Sequence, residues 1–390
     1  MLGRMLGGSD TGLFPRKRDA RPAGPLIWIH APGGRPITQA EGAALEDLHR
    51  ALLDADPGLT FAICTNAPLH LQVPVLQVKC PGETARDAQK FLQHWRPSLG
   101  IWLGPGDPNL VRVCSEQGIP TILVASDPEI VHHRLARASF PFFDHILAAD
   151  EITAAALVTP TGKAPDVVGP LSSCPAPLKV NEAELEDIAG VLAGRPLWFA
   201  AYVPHAEIAA VLAAQRQAMQ SAHRLLLLLM IDEEEDSDPS WRDGIRHLSE
   251  RDVEGEPYDA SEVFVIRGAD ELGLWLRLAP LTYLGGSLST ECAMNPMQAA
   301  ALGSALIAGH RGGRWSDHLQ RLETVEGLRR IGTAKALGRI VTTLMSADHA
   351  ASLAHNAWTL STEGAPLLNR LTELSLDAAD RLPMGQAIRP

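Results

Sequence analysis

Paired cysteines are missing from this chain. Its five cysteines, Cys64, Cys80, Cys114, Cys174 and Cys292, are odd in number, widely spaced and form no CxxC pair. Disulfide frameworks and structural zinc sites both draw on closely set cysteines, so the sequence predicts neither, and a reducing cytoplasm suits it. No metal and no cofactor is expected. His132-His133 and His205-Ala206-Glu207 lack a third ligand at metal spacing and read as surface or structural groups. Long apolar runs are missing too. The longest aliphatic stretch, Leu225 to Ile231, is about a third of the ~20 residues that a membrane helix requires. Met1 to Leu6 is interrupted by Arg4 and glycines with no apolar stretch behind it, so no secretory signal is expected. Cations are in deficit: Lys and Arg number 34 against 46 Asp and Glu, a net charge of −12. Gripping a nucleic-acid backbone needs clustered cations, so nucleic acid is excluded as a broad partner. The nucleophile elbow GxSxG, the Walker loop and a strand-borne GxGxxG are all absent, which removes the commonest hydrolase, nucleotidase and dinucleotide signatures.

What is present is globular. Hydrophobic residues make up 46% and charged residues 21%, a balance that can bury a core. A length of 390 residues predicts two or three domains. Short apolar runs at Leu26–Ile29, Thr60–Cys64, Val75–Val78, Leu99–Leu103, Thr121–Ala125 and Asp144–Ala148 read as strands. Amphipathic stretches lie between them. Gln39 to Asp54 sets Ala44, Leu45, Leu48, Ala51 and Leu52 on one stripe, and Ala85–Trp95 and Asn109–Gln117 are further helices. The pattern pauses at a Ser/Pro/Cys-rich stretch, Leu171 to Pro177, and restarts. The later strands are Leu197–Tyr202, Arg224–Ile231, Val263–Ile266, Leu281–Leu284 and Ala305–Ala308. Strand–helix alternation of this kind builds parallel sheets covered on both faces.

The fold expected is therefore α/β: two doubly wound, Rossmann-like domains facing a cleft. Residues 25–178 form the first domain and 179–390 the second, with a basic leader over 1–24 and terminal helices from about Ala334 to Asp380 that return across both domains. Ligands bind at the carboxyl ends of strands in such sheets, so the cleft is the expected site. Trp315 to Arg329 is placed near it. Trp28, Trp95, Trp198 and Trp275 stand among apolar residues and read as core. In the leader, Arg16-Lys17-Arg18 and Arg21 have no apolar face beside them and read as a solvated cluster. Asp232 to Asp238 reads as a solvated loop, since a cation site there needs geometry that a self-repelling run rarely supplies.

One turn has a physical signature of its own. The strand ending at Leu284 runs into Gly285-Gly286-Ser287, where glycines let the backbone approach a ligand. A helix starting near Asn295 or Pro296 offers free N–H groups to an anion.

Around this turn the sequence resembles the Kdo transferases (3-deoxy-D-manno-octulosonic acid transferases). The resemblance is carried by Glu271-Leu272, Arg277-Leu278-Ala279-Pro280, Gly285-Gly286-Ser287-Leu288 and Asn295-Pro296-Met297-Gln298. It extends back through Leu26-Ile27-Trp28-Ile29-His30-Ala31, Phe91-Leu92-Gln93-His94-Trp95-Arg96-Pro97 and Trp198-Phe199-Ala200-Ala201, in order over about residues 21 to 370. It implies a GT-B glycosyltransferase of lipopolysaccharide assembly, moving Kdo or a related sugar from a CMP-sugar onto a lipid A precursor. It implies a location in the cytoplasm, with at most peripheral contact on the inner membrane. Gly285, Gly286, Ser287, Asn295, Gln298 and Glu271 would then bind the nucleotide sugar, and His30, Gly33, Gly34 and Arg35 would form the acceptor-side loop.

The departures are as informative. The family's catalytic Glu falls at Pro36, which cannot take a proton. Asp107 and Glu41 are the carboxylates left as candidate bases. A basic signature of the family is replaced by Asp232-Glu233, its Ser-Thr by Tyr202-Val203, and a ribose-binding Glu by Gln298. Scaffold residues are kept while polar groups are lost. Three readings follow: a Kdo-type transferase, a non-catalytic paralogue that binds or regulates, and a transferase with a changed donor.

Overall fold

The strands form where the sequence is apolar without alternation, because both faces of each sheet are covered. Leu26–Ala31 and Leu226–Ile231 are buried at every residue. The computed structural model describes residues 20–31, 37–65, 71, 73–133, 137–176, 178–231, 239–243, 245–257 and 259–381. The leader up to residue 19, Gly33, Gly34, Arg35, Pro36 and the acidic block Asp232 to Asp238 lie outside the described residues.

The first sheet takes β1 (Leu26–Ala31), β2 (Thr60–Thr65), β3 (Leu76–Gln77), β4 (Leu99–Leu103), β5 (Thr121–Ala125), β6 (His145–Ala148) and β7 (Asp166–Val167). Its helices are α1 (Gln39–Ala55), α2 (Ala85–Trp95), α3 (Pro108–Glu116) and α4 (Glu151–Thr161). All strands are parallel, in the order β3-β2-β1-β4-β5-β6-β7.

The second unit begins with α5 (Glu182–Leu192), β8 (Leu197–Val203), α6 (His205–Met219), β9 (Leu226–Ile231), β10 (Leu248–Glu250), α7 (Arg251–Glu254) and β11 (Val263–Ile266). It continues through α8 (Leu272–Leu278), β12 (Leu281–Leu284), α9 (Pro296–Ala301), β13 (Ala305–Ala308), α10 (Ser316–Thr324) and β14 (Leu328–Arg330). The sheet order is β10-β11-β9-β8-β12-β13-β14, again parallel. Each sheet reverses its strand order beside its first strand, between β1 and β4 and between β8 and β12. Crevices of this kind bind ligands in doubly wound folds. The expected class, two doubly wound α/β sheets, is the one found.

Each sheet carries an apolar core on either face. Trp28, Trp198 and Trp275 are fully buried and Trp95 nearly so, as expected of core residues. The chain closes with α11 (Ala334–Leu344), α12 (Ala347–Thr362) and α13 (Ala365–Asp380). The last of these leaves the second unit. Its Leu367, Leu368, Leu371 and Leu374 pack with Leu45, Leu48 and Leu52 of α1 and with Ile27 and Ile29 of β1. Burying each leucine is worth roughly 1.5–3 kcal/mol, so this helix fastens the two halves together. Arg321 secures the crossing by donating to Ser172 Oγ at 2.9 Å and to Glu363 at 2.7 Å. Gly364 allows it, because a Cβ there would stand 2.0 Å from the Ser172 carbonyl.

Candidate active site in the cleft between the two sheets

The glycine turn after β12 is held from inside the protein. Glu207, in the first turn of α6, is 2% exposed. Its carboxylate accepts from the backbone N–H groups of Gly286 at 2.9 Å, Leu288 at 2.9 Å and Ser289 at 2.7 Å. It also accepts from the hydroxyls of Tyr283 at 2.7 Å and Ser289 at 2.8 Å. Burial and the neighbouring Glu207 carboxylate push the Tyr283 phenol well above its ordinary range. The N–H groups of this turn therefore already have an anion, a side chain of this chain. Ser287 is fully buried, donating to the Leu284 carbonyl and accepting from Gly309 N–H. The glycines answer to packing. A Cβ on Gly285 would lie 2.2 Å from the Tyr202 carbonyl, and Gly286 has φ +76° with its Cβ position 2.1 Å from the Glu291 carbonyl. Gly285, Gly286 and Ser287 thus shape the wall behind the cleft and do not present donors to it.

The cleft lies one layer further out and measures about 570 Å³. Helix α1 contributes Glu46, Asp47 and Arg50, and the connecting segment contributes Ser173 and Lys179. The second unit contributes Tyr202, Asn295, Gln298, Arg314, Trp315 and His318. Asn295 and Gln298 both line the cleft. Asn295 caps α9 by accepting from Met297 N–H at 3.0 Å, and Gln298 follows one turn in. Asp47 is held by Arg50 at 2.9 Å and Ser173 Oγ at 2.7 Å, which aims a fixed carboxylate across the interface. Tyr202 sits at the end of β8 with φ +51°, a left-handed backbone that costs a non-glycine residue about 1–2 kcal/mol. Strain of that kind concentrates at functional sites.

His318 is the distinctive group. It is 3% exposed, lines the cleft, and neither ring nitrogen has a hydrogen-bond partner. Burial first, then the charge of Arg321, holds its pKa below the ordinary imidazole value against the opposing pull of Asp317 and Asp47. The imidazole is neutral near pH 7. Both ring nitrogens are buried, so the imidazole has to turn toward the cavity before it can take a proton from a bound hydroxyl.

Comparison with known proteins now adds a family. The family model described as 3-Deoxy-D-manno-octulosonic-acid transferase (kdotransferase) matches residues 9–170. Over that stretch the chain is similar to the Kdo transferases. Among solved structures, the C-terminal CMP-Kdo binding domain of WaaA from Acinetobacter baumannii is similar at 17% identity and TM-score 0.40, over 46% of this chain and 98% of that one. The S. aureus MnaA–UDP structure is similar at 11% identity and TM-score 0.39, over 93% and 99%. Phytolacca americana UGT2, complexed with UDP-2fluoro-glucose and pterostilbene, is similar at 12% identity and TM-score 0.42, over 90% and 100%.

Several residues assigned by the Kdo transferase resemblance do other work. Glu41 completes a capping box with Thr38 at the start of α1, its carboxylate accepting from Thr38 N–H at 2.9 Å. Asp107 caps α3, accepting from Asn109 and Leu110 N–H at 2.8 and 3.0 Å. Neither lines the cleft, so both candidate bases are spent on helix ends. Glu271 accepts from Arg251 at 3.0–3.2 Å and from Trp275 Nε1 at 3.2 Å, and Arg251 also pairs with Glu184. This network ties α5, α7 and α8 together beside the cleft and presents no free carboxylate to it. His30 is buried near the end of β1 with Nδ1 at 2.8 Å from Cys64 Sγ. Of its expected companions, Gly33, Gly34 and Arg35 are outside the described residues.

The cap assignment is testable. Glu41→Ala and Asp107→Ala should each cost about 0.5–2 kcal/mol in chemical denaturation. Neither should change turnover of a folded enzyme. A large loss of turnover with unchanged stability would return either residue to the list of bases.

Among the described residues, no helix is long and apolar enough to cross a membrane.

Proposed function

We propose that this cleft transfers Kdo or a related acidic sugar from a CMP-sugar to a lipid A precursor. The observation that carries the reading is the neutral His318, without hydrogen-bond partners, in the lining of a cavity that draws walls from both domains. The match to the Kdo transferase family over residues 9–170 supplies the substrate class. Lys179 and Arg314 at the cleft wall offer the positive charge whose loss the Asp232-Glu233 replacement suggested, though from different elements. In the reaction, His318 takes the proton of the acceptor hydroxyl. The hydroxyl oxygen forms a bond to the anomeric carbon. The bond from that carbon to the CMP oxygen breaks, and CMP leaves with the electron pair. Arg314 and Lys179 stabilise the charge on the departing phosphate, and Asn295 and Gln298 orient the nucleotide.

Arg314→Ala tests the donor side. A hydrogen bond to a charged group is worth about 1.5–3 kcal/mol, so the KM for the CMP-sugar should rise by roughly ten- to a hundredfold with kcat less affected. Calorimetry with CMP reads the same loss in Kd. Unchanged affinity removes Arg314 from the donor site.

A second reading has its own support. The occupied cradle at Glu207, and the use of Glu41 and Asp107 as caps, fit a non-catalytic paralogue that binds a nucleotide sugar or a partner. It predicts CMP binding without transfer.

A further inference from the structure

A second cluster lies on the β1–β2–β3 side of the first sheet. His30 and Cys64 are register partners at the carboxyl ends of the parallel strands β1 and β2. Cys80 follows the short edge strand β3, where Val78 N–H donates to the Ile63 carbonyl at 2.9 Å and holds the segment against β2. The ligand atoms of the three side chains all lie within 4.8 Å of one another. His30 is 5% exposed, Cys64 fully buried and Cys80 half-buried.

We propose that His30, Cys64 and Cys80 form a zinc site that pins the carboxyl ends of β1 and β2 to the segment after β3. Two thiols and an imidazole are the borderline-soft donors that select zinc over magnesium or calcium. Tetrahedral zinc binds sulfur at about 2.3 Å and nitrogen at about 2.0–2.1 Å, a spacing that three atoms within 4.8 Å of one another can reach by small side-chain shifts. Binding replaces the thiol protons, which leave to solvent, and joins Nδ1 of His30 and both sulfurs to one ion. Trp28 Nε1 stands 3.3 Å from Cys64 Sγ. An indole N–H only donates, so it remains a hydrogen bond to the metal-bound sulfur, the outer support that metal ligands usually have. Three protein ligands leave the fourth position to water on the side of half-buried Cys80. A simple redox pair needs no imidazole, and the presence of His30 within the triangle is what favours an ion over a disulfide.

The sequence spacing argued against this site because the ligands are 34 and 16 residues apart. Neighbouring parallel strands erase that distance.

The test uses the full chain, purified without a metal-affinity tag. Metal analysis should find one zinc per chain, removed by chelator and restored by added zinc. Cobalt substitution should give a thiolate-to-cobalt charge-transfer band that Cys80→Ser loses. Because His30 and Cys64 are buried and their variants risk misfolding, a second readout uses the wild-type chain alone. Zinc should protect Cys80 from alkylation at least tenfold, and chelator should abolish the protection. Equal zinc binding by wild type and Cys80→Ser would overturn the proposal. So would a Cys64–Cys80 disulfide in freshly isolated, metal-free protein.

Discussion

Glu207→Ala is expected to cost on the order of 4 kcal/mol of folding stability. Each buried donor left without an acceptor costs about 1–3 kcal/mol, and three backbone N–H groups and two hydroxyls converge on this carboxylate. Water entering the vacated space recovers part of that. Glu207→Gln preserves the shape but turns an amide N–H₂ toward backbone N–H groups, which only donate, so an intermediate loss is expected. Urea denaturation of both variants gives the comparison. A loss below about 1 kcal/mol for the alanine variant would mean that the turn from Gly285 to Ser289 holds itself, and that its N–H groups are available to a ligand after all.

His318→Gln is expected to lower kcat by about a hundred- to ten-thousandfold, the usual worth of a positioned base. Its stability should change little, because glutamine fills similar space and can find water at the cleft wall. The pH profile gives an independent signature. His318 works when neutral, and burial and Arg321 hold its pKa below the ordinary imidazole value. Activity should therefore stay level as pH falls through about 6.5 and decline only at the lower, shifted value. Stability follows the same sign. The unfolded chain takes up the proton first as pH falls, so the stability that His318 contributes is present above about 6.5 and lost on descending to the folded-state pKa. An acid limb above the ordinary value would place another group in the role of base.

Much of the fold was legible because parallel strands covered on both faces are written as unbroken apolar runs. Leu99–Leu103, Thr121–Ala125, Val263–Ile266, Leu281–Leu284 and Ala305–Ala308 coincide with the observed strands. Val75–Val78 shrinks to Leu76–Gln77 because β3 is an edge strand with one neighbour, so only two residues pair.

The site was harder to read. Asn295 and Gln298 reach the cleft because they sit on the helix that follows a switch-point strand. Glu207 reads from the sequence as a surface or structural group, and the fold turns five donors toward it. His318 had a signal: with Trp315, Leu319 and Leu322 it completes an i, i+3, i+4, i+7 stripe, and an ionisable group on a buried stripe deserves a reason. Glu41 and Asp107 misled in the opposite way. Each stands three residues or fewer from a helix start, where a carboxylate is more often a cap than a catalyst.

The most direct measurement is a transfer assay on wild type and His318→Gln, with CMP-Kdo and a lipid A precursor read by mass spectrometry beside a working Kdo transferase. The proposed function predicts a product heavier by one Kdo with the wild-type chain and its near disappearance in the folded variant. No product from the wild-type chain, or equal product from both, would contradict it.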